Sequence, residues 1–188
     1  MNVPIDVSNV ILKTNRLTLR PFCQSDLDEL FEYASVDGVG QMAGWKPHEN
    51  IAESQKILDM FINEKKTFAL VLGGKVIGSV GIERYNEDLY AEFADKKARE
   101  IGYVLSKDYW GQGLMPEAVN EVIRYCFEDL GLDMLFCGHS DLNKQSARVQ
   151  QKCGFHFCKT YEYETRMGTI ASCIGNILTK EEWLSRKI

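Results

Sequence analysis

Hydrophobic and polar residues follow two kinds of pattern along this chain, and the first kind predicts strands. Residues 16–20 alternate polar and apolar side chains and stop at Pro21, as a short strand near a sheet edge does. Residues 67–72 and 75–84 predict two more strands, separated by Gly73-Gly74. A tight two-residue turn needs positive φ at both positions, so this glycine pair predicts an antiparallel hairpin.

The second pattern, apolar residues three and four positions apart, predicts four helices. The first begins at the capping residue Ser25, and the second begins at Asn50, with Glu53 three residues later. The clearest helix covers residues 115–130 and ends at Gly131. The fourth covers residues 144–153.

The remaining strand-like runs complete an order of βααβββαβαββ. They cover residues 99–105, 134–137, 155–167 and 169–178, and the polar stretch 86–97 predicts a surface excursion, with a mobile flap as the alternative. This order mixes hairpins with strand–helix–strand crossovers, so it predicts an α/β or α+β fold with one mixed sheet of about seven strands. A chain of 188 residues, 45% of them hydrophobic, suffices for one core, and we expect a single domain over residues 1–188.

Composition and charge narrow the class of protein. The first ten residues lack the features of a signal peptide, and no run approaches the roughly 20 apolar residues of a membrane helix. The six cysteines lie in apolar surroundings, so reduced core thiols in a cytoplasmic protein are expected, with disulfides as the alternative. A net charge of −5 without a basic stripe argues against nucleic acid as a partner and is compatible with a cationic substrate.

The candidate chemistry lies in a turn between a predicted strand and the clearest helix. This segment reads Val104-Leu-Ser-Lys-Asp-Tyr-Trp-Gly-Gln-Gly-Leu-Met-Pro-Glu117. Gly111 and Gly113 let the backbone approach a ligand, and the free N–H groups of the first helical turn suit a diphosphate. A plain tight turn is the alternative. Neither a P-loop nor a dinucleotide fingerprint is present, so a different phosphate-bearing ligand is indicated.

At this segment the sequence resembles the GNAT superfamily of N-acetyltransferases, and within it the ribosomal-protein alanine N-acetyltransferases of the Rim type (RimJ/RimL-like). The superfamily signature Arg/Gln-x-x-Gly-x-Gly/Ala falls on Trp110-Gly-Gln-Gly-Leu-Met115. Trp110 resembles the branch's own Tyr-Trp-Gly form, whereas Met115 departs from the usual Gly or Ala. Other similar segments extend nearly from end to end: residues 14–22 with Asp26, residues 100–105, Glu117-Ala118, residues 143–155 and residues 178–183.

The resemblance implies direct transfer of acetyl from acetyl-CoA to a primary amine, either a protein N-terminal α-amine or a small amine. It implies a mostly antiparallel sheet with helices on both faces, with the fourth and fifth predicted strands splayed apart. A homodimer is implied by the resemblance alone. The expected cofactor-binding residues are Val104, Leu105, Trp110, Gly111, Gln112, Gly113, Leu114, Met115, Asn143 and Ser146.

Such a reaction needs a base for the amine, donors for the oxyanion, and a proton or hydrogen bond for the departing thiolate. Glu100 is the expected base, with a plain surface charge as the alternative, and the N–H groups around Tyr103 and Val104 are the expected oxyanion donors. The tyrosine that many superfamily members use as an acid falls on Gln150, which cannot release a proton. Ser146 or Tyr103 would then hydrogen-bond the thiolate. Asn143 is expected to hold the cofactor, to cap the fourth helix, or both.

The acceptor and some alternatives stay open. Trp45 and His48 lie in the loop where the family's acceptor groove is expected, so we expect substrate contact, with core packing as the alternative. The spacing of the histidines and cysteines predicts no metal site. Two other functions are a CoA-binding regulatory protein without turnover, suggested by Gln150, and a small phosphotransferase. For the enzyme, the acceptor is open among a protein N-terminus, a polyamine, an antibiotic and another small amine.

Overall fold

One sheet of eight strands organises the protein, seen in a computed structural model that describes residues 1–165 and 167–186. The strand order is β1-β2-β3-β4-β5-β6-β8-β7. The strands are β1 (Leu12–Lys13), β2 (Thr18–Pro21), β3 (Thr67–Leu72), β4 (Lys75–Glu83), β5 (Ala98–Leu105), β6 (Met134–Ser140), β7 (His156–Glu164) and β8 (Ile170–Thr179). The α-helices are α1 (Leu27–Ala34), α2 (Ile51–Glu64), α3 (Leu114–Glu128), α4 (Lys144–Cys153) and α5 (Lys180–Ser185). Arg166 in the predicted strand 155–167, and Lys187 and Ile188 at the end of the predicted domain, lie outside the described residues.

The mixed, mostly antiparallel sheet is confirmed, and the predicted count of seven strands is one too low. Among the described strands, β5 and β6 form the single parallel pair. The additional strand is β1, which pairs with β2 through Leu12 and Lys13. Two residues are too few to show a period of two, so the sequence pattern did not reveal it.

Helices cover both faces of the sheet, because side chains alternate along each strand. On β3, Ala69 packs in a cluster with residues of α1 and α2. Its neighbours Phe68 and Leu70 pack in the main core with the apolar stripe of α3. On that second face, Trp183 of α5 packs against Phe127 of α3, with ring centroids 5.5 Å apart.

Most of the turns and helix ends lie where short sequence motifs predicted them. Gly73 and Gly74 have φ angles of 58° and 90°, which confirms the predicted hairpin. Asn50 caps α2 by accepting a hydrogen bond from the Glu53 N–H, 3.1 Å. The first helix starts later than predicted: residues 24–26 form a short 3-10 helix after Cys23, and α1 follows Asp26.

Residues 86–97 pack back onto the sheet. The Tyr90 ring stacks on Phe136 of β6, with centroids 4.1 Å apart, and Tyr90 is buried. Lys159 of β7 donates a hydrogen bond to the Leu89 carbonyl, 2.7 Å. This segment is therefore the predicted excursion from the sheet, and it forms a wall beside β5 and β6.

Four of the six cysteines are buried, as expected for core thiols, whereas Cys23 is exposed and Cys158 is half-buried. Cys23 precedes the first short helix, where its thiol lies 3.1 Å from the Ser25 hydroxyl. No helix within the described part of the chain is long and apolar enough to cross a membrane.

Candidate active site

A gap opens in the sheet where β5 and β6 part. The two strands pair from Ala98 and Met134 to Glu100 and Phe136, although β5 continues to Leu105 and β6 to Ser140. The predicted splay is thus confirmed. Beyond Glu100, main-chain groups on the gap side of β5 lack a partner strand and can serve a ligand.

A cavity of about 520 Å³ fills this gap and extends to the start of α3 and to α4. Its wall includes Arg148 and Lys152, and no carboxylate is among the described residues that line it. Although the chain as a whole is acidic, the positive charges in this wall make it suited to an anion. The predicted cofactor residues that line it are Val104, Leu105, Trp110, Gly111, Gly113, Leu114, Met115, Asn143 and Ser146.

The glycine turn borders this cavity, and its main-chain N–H groups are unbonded. Gly111 and Gly113 have φ angles of 77° and 75°, which favour glycine. In the described structure, no hydrogen bond is donated by the N–H groups of residues 111–115. Pro116, which has no N–H, occupies the first turn of α3 at no cost to helix bonding. Free N–H groups at the start of a 15-residue helix are suited to binding an anion.

The N-terminal segment holds this turn in place. Arg16 donates to the Glu117 carboxylate at 2.7 Å and to the Gln112 carbonyl at 3.0 Å. The Thr14 hydroxyl also bonds Glu117. Gln112, a predicted cofactor residue, does not line the cavity and instead supports the turn. Sequence analysis noted both segments but gave no sign that they touch.

The main chain of β5 alternates between β4 and the gap. The Cys137 thiol donates to the Ile101 carbonyl, 3.1 Å, so Ile101 faces β6. Since neighbouring residues of a strand point their main-chain groups in opposite directions, Tyr103 faces the gap as well. Val104 is opposite Ser79 of β4, and its N–H faces that strand.

Tyr103 and Ser146 form a hydroxyl pair across the gap. Their oxygens are 2.8 Å apart, and Ser146 also accepts a hydrogen bond from the Gln150 amide, 3.2 Å. Burial raises the pKa of Tyr103 well above its usual value, so its hydroxyl keeps its proton. The pair can offer an O–H donor to a ligand in the cavity.

Gln150 also contacts His139 and Asn176. Its Oε1 lies 3.1 Å from His139 Nδ1 and 2.6 Å from Asn176 Nδ2, and its Nε2 donates to the Gly138 carbonyl at 3.1 Å. The His139 ring lines the main cavity and also a second one of about 400 Å³, between α4, β7 and β8. In the sequence, the spacing of this histidine predicted no metal site, and no other signal pointed to it.

Glu100 lies on the opposite face of the sheet from Tyr103 and does not line the cavity. Burial raises its pKa to about 7, and the nearby Glu83 carboxylate adds to this rise. The Gly138 N–H donates to Glu100 and partly offsets the effect. A carboxyl group with this pKa exchanges protons readily at neutral pH.

Two tyrosines share that face with Glu100. A Cβ atom at Gly138 would collide with the Tyr161 hydroxyl and lie 3.4 Å from Glu100 Oε1. A Cβ at Gly175 would collide with the Tyr90 hydroxyl. Glycine at these two positions therefore makes room for phenols beside the carboxyl group.

Asn143 and the loop before α2 meet at the mouth of the cavity. Asn143 caps α4 by accepting from the Ser146 N–H at 3.0 Å, and its amide donates to the Met42 carbonyl at 3.0 Å. Trp45 and His48 lie farther along this loop and do not line the cavity. His48 Nδ1 is 2.7 Å from the Ser54 hydroxyl of α2. Their contact with a substrate stays a prediction.

The sequence model described as "Acetyltransferase (GNAT) domain" matches residues 16–156, which include the glycine turn and both splayed strands. The chain belongs to the GNAT acetyltransferase family. Members of this family use acetyl-CoA, and several matched relatives bear the name N-acetyltransferase. The protein is therefore an acetyltransferase enzyme.

Two relatives illustrate the range of sequence similarity. The uncharacterized N-acetyltransferase YoaA of Bacillus subtilis is 28% identical over 153 residues, which cover 77% of this chain and 82% of YoaA. The FsC-acetyl coenzyme A-N(2)-transacetylase of Aspergillus fumigatus is 34% identical over 88 residues. That match covers 45% of this chain and only 37% of the fungal protein.

Solved acetyltransferase structures share the fold at lower identity. A family member from Bacillus anthracis has a TM-score of 0.79 and 19% identity, covering 92% of this chain and 100% of its own. The microcin C7 self-immunity acetyltransferase MccE, solved with acetyl-CoA and AMP, has a TM-score of 0.71 and 20% identity, covering 88% and 93%. The ribosomal-protein-S5-alanine acetyltransferase of Vibrio fischeri has a TM-score of 0.68 and 19% identity, covering 93% and 99%.

Proposed function

We propose that this enzyme moves the acetyl group of acetyl-CoA to a primary amine by direct attack, without a covalent enzyme intermediate. The observation that carries the proposal is the cavity between β5 and β6, which joins unbonded N–H groups at the start of α3 to a polar gap in the sheet. Acetyl-CoA, when bound, supplies an activated thioester and an anionic diphosphate at the two ends of one flexible arm.

The residues present suit this cofactor. The N–H groups of residues 111–115 can hold the diphosphate, and Arg148 and Lys152 add positive charge to the wall. Other main-chain groups on the gap side of β5 can bond the pantetheine arm. Asn143 and Ser146 line the same cavity at the start of α4.

The base, the oxyanion donor and the hydrogen bond to the thiolate that the reaction needs each have a candidate residue in this chain. Glu100 accepts the first proton of the incoming ammonium group, directly or through water, because its pKa of about 7 suits a base at neutral pH. The Tyr103 N–H stabilises the developing oxyanion. The hydroxyl pair of Tyr103 and Ser146 offers a hydrogen bond to the departing thiolate.

A protein N-terminal α-amine is the acceptor we favour. Such an amine has a pKa of about 7.7–8.0, whereas a lysine amine near 10.4 needs several kcal/mol more to become neutral. The resemblance to the ribosomal-protein alanine branch points the same way. Trp45 and His48 are our candidates for contact with that substrate. Polyamines, antibiotics and other small amines are the alternative acceptors.

The experiment is thiol release from acetyl-CoA across a panel of amines, with Ala- and Ser-starting peptides, an N-terminally blocked lysine peptide and spermidine. We expect the Ala- and Ser-starting peptides to be acetylated fastest. Preference for spermidine would favour the small-amine alternative. Acetyl-CoA binding without release of thiol to any amine would instead support the regulatory, non-catalytic alternative, which Gln150 suggested.

Location and assembly are further parts of the proposal. Unbridged buried cysteines support a reducing compartment, the cytoplasm, and the cavity wall supports acetyl-CoA rather than nucleic acid as a partner. A homodimer rests on the family resemblance. Light scattering coupled to size-exclusion chromatography tests it, with a mass near twice 21.4 kDa expected and a mass of 21.4 kDa as the contradicting result.

A further inference from the structure

We propose that His139 is a catalytic residue that carries the second proton of the acceptor amine to the sulfur of the leaving thiol, with Gln150 as its positioning residue. The inference rests on the proposed acetyl transfer. It addresses a gap in that chemistry, because Gln150 stands where an acidic tyrosine is usual and cannot release a proton itself.

The first observation is where the ring lies. His139 is on β6, three residues past the last pairing of β6 with β5, and its ring lines the cavity that takes the cofactor. It lies on the α4 side of the sheet, with Tyr103 and Ser146, whereas Glu100 lies on the other side. A proton carrier on this side is close to the hydroxyl pair that faces the departing sulfur.

The second observation is the tautomer. Gln150 Nε2 faces the Gly138 carbonyl, which can only accept, so the amide nitrogen must be at that end. Its Oε1 is then the atom facing His139, 3.1 Å from Nδ1, whereas the Asn176 amide nitrogen lies farther from Nδ1, at 3.4 Å. The shorter contact, with an oxygen that can only accept, favours the tautomer that carries its proton on Nδ1. Nε2 of the neutral ring is consequently a base, and no described residue bonds it.

The third observation is that the ring rests in its neutral form. Burial lowers the pKa of His139, and Lys144 of α4 lowers it further. Gln150 and Asp141 act in the opposite direction, and Arg148 of α4 lines the same two cavities. A neutral imidazole at pH 7 can accept a proton at Nε2 and give it up again at once.

The protons then balance. Glu100 takes one proton from the ammonium group and releases it to water. As the nitrogen–carbon bond forms and the carbon–sulfur bond breaks with its electron pair going to sulfur, His139 Nε2 takes the surplus proton from nitrogen. The imidazolium gives that proton to the thiolate, so His139 returns to its starting form and the products are an amide and a free thiol.

A test without turnover is ¹⁵N NMR of the histidine rings in the free protein during a pH titration. We expect His139 to carry its proton on Nδ1 and to titrate below pH 6.5. In the Gln150→Glu variant a carboxylate faces Nδ1, so the midpoint should move to higher pH. A proton on Nε2 of the neutral ring, or a midpoint unmoved by Gln150→Glu, would overturn the proposal.

The test with turnover uses His139→Asn, whose amide can still donate to Gln150, and His139→Ala, whose missing ring leaves room for imidazole. We expect acetyl transfer to fall about 100-fold or more in both variants, with acetyl-CoA affinity unchanged. Added imidazole should restore activity to His139→Ala. The matched control is His156→Ala, which borders only the second cavity and should keep full activity.

The proposed function and the proposed role of His139 can be disproved separately. If the wild-type enzyme acetylates no amine, the proposed function fails. If it acetylates amines and His139→Asn does so at the same rate, or if imidazole restores nothing, this proposal alone fails.

Discussion

Glu100 and His139 lie on opposite faces of the sheet beside the gap between β5 and β6, and burial moves their pKa values in opposite directions. The pKa of Glu100 rises to about 7 and that of His139 falls, because desolvation disfavours the charged form of each. The face of the sheet that carries Glu100, where we propose that the amine binds and which we call the acceptor side, thus holds a carboxyl group that titrates at neutral pH. The α4 side holds a neutral imidazole. In the proposed mechanism, this one physical cause suits the two groups to accept two different protons.

The pKa values of Glu100 and His139 also predict the order in which the two groups affect activity as the pH falls. A base works only when deprotonated, so activity should fall as the pH drops through about 7, where Glu100 gains a proton. It should fall more steeply below the pKa of His139, which is under 6.5. The acceptor side therefore sets the upper part of the pH profile.

The largest expected effect is that of Glu100→Gln on turnover. Loss of the base should slow acetyl transfer by about 100- to 10,000-fold at pH 8, with no change in acetyl-CoA affinity. Steady-state thiol release and calorimetry measure the two quantities. An active Glu100→Gln variant would mean that the acceptor side of the gap has another base.

The same substitution should stabilise the folded protein at alkaline pH. A folded-state pKa raised from 4.5 to about 7 means that the folded state binds the proton more tightly, so stability falls as the pH rises from 4.5 to 7. Glu100→Gln removes this loss, worth up to about 3 kcal/mol. Urea denaturation at pH 5 and pH 8 measures it, and an equal pH dependence in both proteins would contradict it.

Gly138→Ala tests how tightly the acceptor side is packed. The added methyl group meets the Tyr161 hydroxyl and approaches Glu100, so it should displace both. We expect the catalytic efficiency toward the amine to fall roughly tenfold, in line with an overpacking cost of about 1–3 kcal/mol. Gly73→Ala, in the exposed hairpin turn, is a control for loss of a glycine far from the site, although Gly73 has a positive φ and Gly138 lies within a strand. Unchanged catalytic efficiency in Gly138→Ala would show that the packing of Tyr161 and Glu100 around position 138 does not affect reaction with the amine.

The smallest effect expected is a shift in the pH profile of Glu83→Gln. Glu83 lies opposite Glu100 in the β4–β5 ladder, and its charge helps to raise the Glu100 pKa. Removing that charge should move the midpoint near pH 7 to lower pH, by less than one unit because burial is the larger cause. A midpoint that stays in place would assign the whole rise to burial.

Sequence reasoning located the parts of the site that depend on neighbouring residues. The glycine turn, the Asn143 cap and the start of α3 each need only a few consecutive positions, and their geometry follows from backbone preferences. The splay of β5 and β6 came from family resemblance. Contacts between distant segments left no such signal: Asn143 meets Met42, and Arg16 meets Glu117.

His139 illustrates why the remainder was out of reach. Its contact with Gln150 depends on how α4 lies across β6, and on Asn176 from β8 completing the amide's hydrogen bonds. No spacing in the sequence encodes that meeting. The same holds for Tyr161, whose position beside Glu100 depends on glycine at 138 in another strand.

The central claim is that main-chain N–H groups at residues 111–115 bind a diphosphate, and calorimetry with two thioesters tests it most directly. Acetyl-CoA carries the diphosphate, and acetyl-pantetheine carries only the thioester arm. We expect acetyl-CoA to bind at least about 100-fold more tightly, because two charge-assisted hydrogen bonds are worth about 3 kcal/mol or more. Equal affinity for the two compounds, or no affinity for acetyl-CoA, would contradict the account.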